Sequence, residues 1–291
     1  MIRIVTDSGT NLPFDLREQY GIITIPLIVI FGARSHRDEV DLSNDQFYEM
    51  LQREKVHPTT STPAPADFIN VWRPILQAGD EIVSLHLPIK LSATYSTAVN
   101  AKKQLDAEFG REVPITIVDS NWVSVAMGFQ ALEGARAARA GKSSEEIAAV
   151  MRGLDHKMRL IFVLDTLEYL RRGGRIGKAT AFLGGVFSIK PVAQIAHGEV
   201  EPLERVRSLK AGMSRLIDLV GHPPPIDGKP PTGSGPLHVT VLHAANPEGA
   251  QYIENELRAR FNIAELYKAN IGPVIAVHSG PRAVGMAFYR E

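Results

Sequence analysis

The sequence has no cysteine, no excess of either charge and no long apolar run. Disulfides and thiolate metal sites are excluded because cysteine is absent from all 291 residues. The 32 Lys and Arg residues equal the 32 Asp and Glu residues in number, which argues against a protein that binds nucleic acid mainly through phosphates. No run approaches the length of a membrane-spanning helix, and the N-terminus lacks the apolar stretch of a secretory signal. We therefore expect a cytoplasmic protein that does not span the membrane.

The composition that is present, 44% hydrophobic and 22% charged residues, is typical of a globular protein. In the first half, apolar runs alternate with amphipathic stretches, which predicts an α/β fold with a mostly parallel sheet and helices on both faces. The Pro-rich segment 57–65 is expected to be irregular. The predicted strands span 2–6, 22–31, 81–87 and 115–118, and the predicted helices span 43–53, 66–77, 94–109, 123–140 and 144–153.

Polar residues follow three of these strands. They are Asp7 and Ser8, the residues after Leu87, and Asp119 with Ser120. Ligands of open α/β sheets gather at the carboxyl ends of the strands. We therefore expect these three positions to share one rim of the sheet.

The second half has a different pattern, in which strands follow one another in runs, as in an α+β domain. We place the boundary near residue 155, which gives an N-terminal α/β domain over 1–155 and a C-terminal α+β domain over 156–291. Segment 221–236, with six prolines and four glycines, is expected to be a flexible surface loop. The predicted strands span 160–164, 187–195, 199–207, 237–243, 264–270, 274–278 and 284–289, with helices near 210–220 and 247–260.

Two features suggest a cofactor or a metal at first sight, and neither is supported. The tripeptide Gly141-Lys142-Ser143 is similar to the end of a phosphate-binding loop, but Arg136 stands where that motif needs glycine. We predict instead that Gly141 ends one helix and that Ser143 and Glu146 form a capping box for the next. The nine histidines show no metalloprotease spacing. We expect neither a cofactor nor a dedicated metal site.

Several short segments, in their joint order and spacing, resemble the DegV family, whose members are bacterial fatty-acid-binding proteins that act as acyl carriers for a fatty acid kinase. The resemblance covers residues 2 to about 289. The segments are Val5-Thr6-Asp7-Ser8, Pro58-Thr59-Thr60-Ser61-Thr62-Pro63, Leu91-Ser92-Ala93-Thr94-Tyr95, Tyr169-Leu170 with Arg172-Gly173-Gly174-Arg175-Ile176, Ile189-Lys190-Pro191, Arg205-Val206-Arg207 and the stretch from Ile271 to Pro281.

The resemblance implies a two-domain protein that encloses one long-chain fatty acid. The carboxylate would lie at the domain junction and the acyl tail in the second domain, with a separate ATP-dependent kinase supplying the phosphate. The positions that match the family's carboxylate-binding motifs are Thr60, Ser61, Ser92 and His278. Two further positions, Arg175 and Arg207, match basic residues near the head group or the kinase contact.

The hydrogen-bonding chemistry of hydroxyl groups suits the binding of a carboxylate. Two hydroxyl donors and backbone N–H groups can saturate a carboxylate and leave it nucleophilic, whereas an arginine fork would occupy both oxygens. Ser92 is predicted to lie at the start of the helix over 94–109, beside free backbone donors. His278 is predicted at a strand end, where it can donate to a carboxylate.

The sequence departs from the family pattern near these motifs at Lys90, Ala93 and Arg282, and also at Ile89 and Thr62. They leave open the preferred acyl chain and the form of the kinase-facing surface. Two other functions also remain open at this stage. One is a lipid hydrolase that uses Ser92, His278 and Asp119, although the Gly-x-Ser-x-Gly motif is missing. The other is a lipid-sensing regulatory protein.

Overall fold

A computed structural model describes residues 1–54, 56–182 and 189–291. The described part contains thirteen strands in three sheets and ten α-helices. The strands are β1 (Ile2–Asp7), β2 (Ile23–Ile25), β3 (Ile28–Phe31), β4 (Arg34–Arg37), β5 (Thr59–Ser61), β6 (Glu81–His86), β7 (Ile115–Asp119), β8 (Arg159–Val163), β9 (Lys190–Ala196), β10 (Glu199–Val206), β11 (Leu237–His243), β12 (Ile263–Asn270) and β13 (Val284–Arg290). The helices are α1 (Phe14–Tyr20), α2 (Asn44–Arg53), α3 (Pro65–Gln77), α4 (Thr94–Phe109), α5 (Ser124–Arg139), α6 (Ser144–Gly153), α7 (Glu168–Arg172), α8 (Leu209–Gly221), α9 (Pro247–Arg260) and α10 (Pro273–Ser279). None of these helices has both the length and the hydropathy needed to cross a membrane.

The first sheet is parallel throughout, with the order β2-β1-β6-β7. Successive side chains of a strand point to opposite faces. Val5 and Ile82 therefore pack with α3 and α4 on one face, while Ile4 and Val83 pack with α5 on the other. The predicted parallel sheet with helices on both faces is confirmed.

The second sheet has the order β10-β9-β8-β13-β11-β12 and is antiparallel except for the β11–β12 pair. Helices α8 and α9 cover one face, against Ile161, Val163 and Val241. The other face, with Leu160 and Ile195, shares a core with α5 of the first half. The α+β character of the second half is confirmed, and the boundary near residue 155 stays a prediction.

A small antiparallel sheet, β4-β3-β5, corrects two sequence predictions. The single strand predicted over 22–31 is wrong, because β2 and β3 belong to different sheets. Between them Pro26 has no N–H to donate, and the Leu27 N–H donates to the Ser8 hydroxyl at 3.1 Å. Segment 57–65 is not wholly irregular either. It forms edge strand β5, because Pro58 and Pro63 block pairing only at their own positions.

The predicted strand over 274–278 is also wrong, since these residues lie in α10. Gly272 precedes the helix and Pro273 occupies its first position, where a missing N–H has no cost. The β-branched residues that follow are common in strands and concealed this start signal. In the strand predicted over 187–195, residues 187 and 188 lie outside the described residues, and residues 190–195 fall in β9. The capping box of Ser143 and Glu146 is confirmed.

Candidate functional site

A cavity of about 330 Å³ lies between the two larger sheets. This volume is within the range of small-molecule sites. Most of its wall is apolar, while hydroxyl, imidazole and guanidinium groups are confined to a few positions. The apolar lining includes Leu87, Leu160, Phe162, Leu164, Ile195, Val200, Leu242 and Val274, and the polar lining consists of Thr60, Ser61, Thr62, Ser92, Ser124, Arg175, His278 and Ser279.

The carboxyl ends of the parallel strands meet beside this cavity, as the sequence predicted. The Asp7 carboxylate accepts hydrogen bonds from the N–H groups of Leu87 at 2.9 Å and Gly9 at 3.0 Å. The Ser120 N–H donates to the His86 carbonyl at 3.1 Å. These bonds fix the start of the loop over residues 88–93, which we call the 88–93 loop.

A chain of Ser84, His86 and Asp7 lies behind this rim and has the residue types of a catalytic triad. The Ser84 hydroxyl is 2.8 Å from His86 Nε2, and His86 Nδ1 is 3.1 Å from Asp7 Oδ2. All three side chains have no solvent exposure. Because no substrate can reach Ser84, the chain is structural and holds the end of β6.

Two of the predicted carboxylate-binding residues contact each other. Thr60 on β5 and His278 on α10 are joined by a hydrogen bond of 3.1 Å between Oγ1 and Nε2. Burial, together with the nearby charges of Arg175 and His57, lowers the pKa of His278 to about 4. The imidazole is therefore neutral at pH 7 and supplies a hydrogen-bonding group without a full charge.

The other edge of the His278 ring is closely packed. Its buried Nδ1 has no hydrogen-bond partner among the described residues, and Gly173 lies directly against it. A Cβ atom on Gly173 would lie 2.1 Å from Nδ1. Glycine is required there because any side chain would push the ring away from Thr60.

Ser92 lies two residues before the first residue of α4, in the 88–93 loop. Its hydroxyl is 2.7 Å from the Thr94 hydroxyl and accepts a hydrogen bond from the Thr94 N–H at 3.3 Å. The predicted start of the helix is confirmed, and Ala93 in the cap position supplies no capping side chain. Free backbone donors of a 16-residue helix therefore lie close to the Ser92 hydroxyl.

The two predicted arginines have different positions. Arg175 lines the cavity and donates to the carbonyls of Leu91 at 3.1 Å and Gly173 at 2.7 Å. Arg207 is exposed and is not part of the lining. Thr60, Ser61, Ser92, Arg175 and His278 thus share one cavity that Arg207 does not reach. Their roles toward a ligand stay predictions.

Comparison with known proteins supports the fold described above. The model of the DegV family, described as uncharacterised proteins, matches residues 1–291. The chain belongs to the DegV family. Protein DegV of Bacillus subtilis is 32% identical over 288 residues, which cover 99% of this chain and 98% of that protein. A DegV domain-containing protein of Streptomyces coelicolor is 35% identical over 98% of this chain and 97% of its own length.

Solved structures of DegV proteins have the same fold over the whole chain. A DegV family protein from Thermus thermophilus, described as fatty acid binding, superposes with a TM-score of 0.89 at 30% identity, covering 100% of this chain and 99% of that one. DegV from Bacillus subtilis, described as a fatty acid binding protein, superposes with a TM-score of 0.86 at 31% identity, covering 100% and 99%.

Within this DegV fold, the hydrolase arrangement considered from the sequence is not assembled. Among the described residues, the hydroxyl of Ser92 bonds only to Thr94. His278 bonds to Thr60 and has no carboxylate on Nδ1. Asp119 accepts from the Asn121 N–H at 3.3 Å. A nucleophile activated by a histidine and an acid requires contacts between the three groups.

The structure shows the environment of three of the departures from the DegV pattern, Lys90, Ala93 and Arg282. Lys90 forms a 2.9 Å salt bridge to Glu199 on β10, which connects the 88–93 loop to the second sheet. Ala93 occupies the N-cap position of α4, and its side chain makes no capping hydrogen bond. Arg282 has a positive φ of 66° and its guanidinium lies 3.7 Å from Asp165.

Sequence reasoning missed three residues of the polar lining. Thr62 and Ser279 lie inside the recognised segments, next to Ser61 and His278, so every polar residue of those segments should have been considered. Ser124 gave no comparable signal. It is buried at the start of α5 with a φ of 54° and donates to Asn11 Oδ1 at 2.8 Å, a contact that joins distant parts of the chain.

Proposed function

We propose that this chain binds a long-chain fatty acid, buries the acyl tail and presents the carboxylate to a separate ATP-dependent kinase. The observation that carries this proposal is the cavity itself, with an apolar wall and with Thr60, Ser92 and neutral His278 among its few polar groups. Two close structural relatives are described as fatty acid binding. The chain would act as a carrier without a cofactor of its own.

The apolar wall suits an acyl tail. Burial contributes about 0.8 kcal/mol per CH₂ group before entropic costs, so a chain of a dozen or more methylenes would dominate the affinity. Residues such as Phe162, Ile195 and Leu242 offer no polar group that a ligand would need to satisfy. The tail would therefore set affinity, and the polar groups would set orientation.

The polar groups suit a carboxylate that must still react. Hydroxyls and a neutral imidazole provide hydrogen bonds without neutralising the anion. Arg175 is the one guanidinium among the described lining residues, and two of its nitrogens already donate to backbone carbonyls. One carboxylate oxygen can thus remain free to attack a γ-phosphoryl group. Since Gly141-Lys142-Ser143 forms a helix end and a cap, we assign ATP binding to the partner.

Native mass spectrometry tests the ligand. Protein purified under mild conditions should show an excess mass equal to a fatty acid, which disappears on denaturation. Protein stripped of lipid should gain about 2.7 kcal/mol of stability at a palmitate or oleate concentration one hundred times Kd. Equal native and denatured masses together with an unchanged Tm would contradict the proposal.

Addition of a fatty acid kinase and ATP should then yield acyl phosphate, which a lipid-sensing regulator would not produce.

The salt bridge from Lys90 to Glu199 should slow release of the ligand. Both groups are partly exposed, so the pair contributes at most about 1 kcal/mol. We expect Lys90→Ala to release a fluorescent fatty acid about threefold faster in stopped-flow displacement, with the difference reduced in 0.5 M salt because exposed pairs are screened. Lys103→Ala, an exposed lysine on α4, is the matched control. Identical release rates for the wild type and Lys90→Ala would show that the salt bridge does not hold the loop.

A further inference from the structure

His57 lies close enough to His278 for its charge to lower the pKa of that group, and the function proposed above gives it no role. The side chain is half-buried, and its buried Nε2 has no hydrogen-bond partner among the described residues. Its ring packs on the ring of Tyr169 instead, with 5.5 Å between the centroids and 44° between the planes. Aromatic pairs at this separation attract each other. His57 therefore makes its contact through the ring.

The chain between His57 and Thr60 is short and stiff. Pro58 follows His57 directly and is buried. A proline fixes its own φ and restricts the residue before it to extended conformations. Only Thr59 separates Pro58 from Thr60. Holding His57 in place therefore limits the movement of the Thr60 side chain.

Strand β5, which carries Thr60, has few other restraints. It consists of three residues at the edge of the small sheet, and within the described part of the chain it pairs with β3 alone. Segments with few backbone bonds and few buried contacts open at a low free energy. The hydrogen bond of 3.1 Å between Thr60 and His278 therefore depends on a further contact that holds β5 toward α10.

Tyr169 connects this contact to both ends of the His278 environment. A Cβ atom on Gly280, which directly follows α10, would lie 2.3 Å from Tyr169 Cδ2. The Tyr169 ring thus lies against the backbone two residues after His278. In addition, the Tyr169 carbonyl accepts a hydrogen bond from the Gly173 N–H at 2.9 Å, and Gly173 lies against the His278 ring. Tyr169 is therefore connected to His278 through two glycines.

We propose that His57 is a positioning residue of the carboxylate-binding site, which keeps Thr60 at hydrogen-bond distance from His278 through its contact with Tyr169. Its importance for a ligand rests on the function proposed above, whereas the contact can be tested without a ligand. Burial and the nearby charge of Arg172 lower the pKa of His57. At pH 7 the imidazole therefore acts as an uncharged ring, and another aromatic ring should replace it.

NMR of ¹⁵N-labelled imidazole groups in lipid-free protein tests the contact. Because burial is the main cause of the low pKa of His278, a loosened site that admits water should raise this pKa. We expect His57→Ala to raise it by about one pH unit. His57→Phe keeps an aromatic ring against Tyr169 and should raise the pKa of His278 much less.

His36→Ala is the matched control. His36 is also half-buried with an unpartnered Nε2 among the described residues, and it belongs to the same small sheet. It lies on β4, which β3 separates from β5. The substitution should leave the pKa of His278 unchanged.

The effect on a ligand is measured with palmitate, a fatty acid kinase and ATP. Attack on a phosphoryl group requires the carboxylate in one orientation, so we expect His57→Ala to reduce acyl phosphate formation about tenfold. Palmitate affinity should fall by about threefold or less, because the tail supplies most of it. His57→Phe should restore most of the acyl phosphate formation.

Three results would overturn the proposal. An unchanged pKa of His278 in His57→Ala would show that the contact does not hold the site. An equal rise in His57→Phe would assign the effect to the charge of His57, and an equal rise in His36→Ala would assign it to general loosening of the small sheet. A raised pKa in His57→Ala without palmitate binding by the wild type would instead overturn the fatty acid function and limit His57 to holding Thr60 beside His278.

Discussion

Replacing Arg136 with methionine is expected to lower the melting temperature by roughly 5 °C, which corresponds to about 2 kcal/mol of stability. Arg136 on α5 connects the two halves of the molecule through Glu265 on β12 at 2.6 Å, and it also bonds to Glu133 at 2.5 Å. Methionine keeps most of the apolar stem but leaves Glu265, whose side chain is 16% exposed, without its cation. The expected loss of stability lies between the loss on breaking an exposed ion pair and the loss on breaking a fully buried one.

The same network predicts how this loss depends on pH. Burial raises the pKa of Glu265, but hydrogen bonds from Arg136, His238 and Tyr267 outweigh it and lower the pKa from 4.5 to about 2. A carboxyl with a depressed folded-state pKa stabilises the fold above its unfolded pKa and loses this contribution as the pH falls toward the folded pKa. The difference in stability between the wild type and Arg136→Met should therefore be full at pH 7 and shrink between pH 4.5 and about 2.

Two further variants separate the loss of the ion pair from a general effect of the substitution. Arg152→Met alters an exposed arginine on α6 and should change the melting temperature by less than 2 °C or so. Adding Glu265→Gln to Arg136→Met removes the stranded carboxylate and should recover part of the loss. If the double variant is less stable than Arg136→Met alone, the stranded charge is not the cause.

The elements that the sequence predicted well are those whose signals are local. Helix α9 was predicted at its observed bounds, Pro247–Arg260, because Pro247 starts it and its buried positions Ala250, Ile253 and Leu257 are spaced as on one helix face. Strand β11 alternates apolar and polar residues over its first five positions, and the sequence also predicts it at its observed bounds. Such patterns act within a few residues and do not depend on the rest of the fold.

The contacts that build the cavity are not local. The bond between Thr60 and His278 joins residues 218 positions apart, and the composition of either segment does not predict it. Helix α10, which carries His278, was predicted as a strand because its valines and isoleucine favour that state locally. Only the family resemblance brought Thr60, Ser92 and His278 together from the sequence.

Replacing Ser92 with alanine is expected to reduce acyl phosphate formation by roughly 10- to 100-fold, while fatty acid affinity falls by about threefold or less. The tail supplies most of the binding free energy, whereas attack on a phosphoryl group requires the carboxylate to be held in one orientation. Loss of the hydroxyl also leaves the Thr94 hydroxyl without its 2.7 Å partner, so the donors near the start of α4 would be less well ordered. The reaction is measured with ATP and a fatty acid kinase.

A second measurement does not need the kinase. It is ¹³C NMR of bound palmitate that is labelled at the carboxyl carbon. Ser92→Ala should remove a hydrogen bond to the palmitate carboxylate and so raise the pKa of the bound carboxyl group. Ser96→Ala is the matched control, because Ser96 is an exposed serine in the first turn of α4, four residues after Ser92. Equal loss of affinity and of phosphorylation would show that Ser92 acts in binding as a whole. An effect of Ser96→Ala as large as that of Ser92→Ala would instead place the cause in the helix, since a contact to the carboxylate is specific to one hydroxyl.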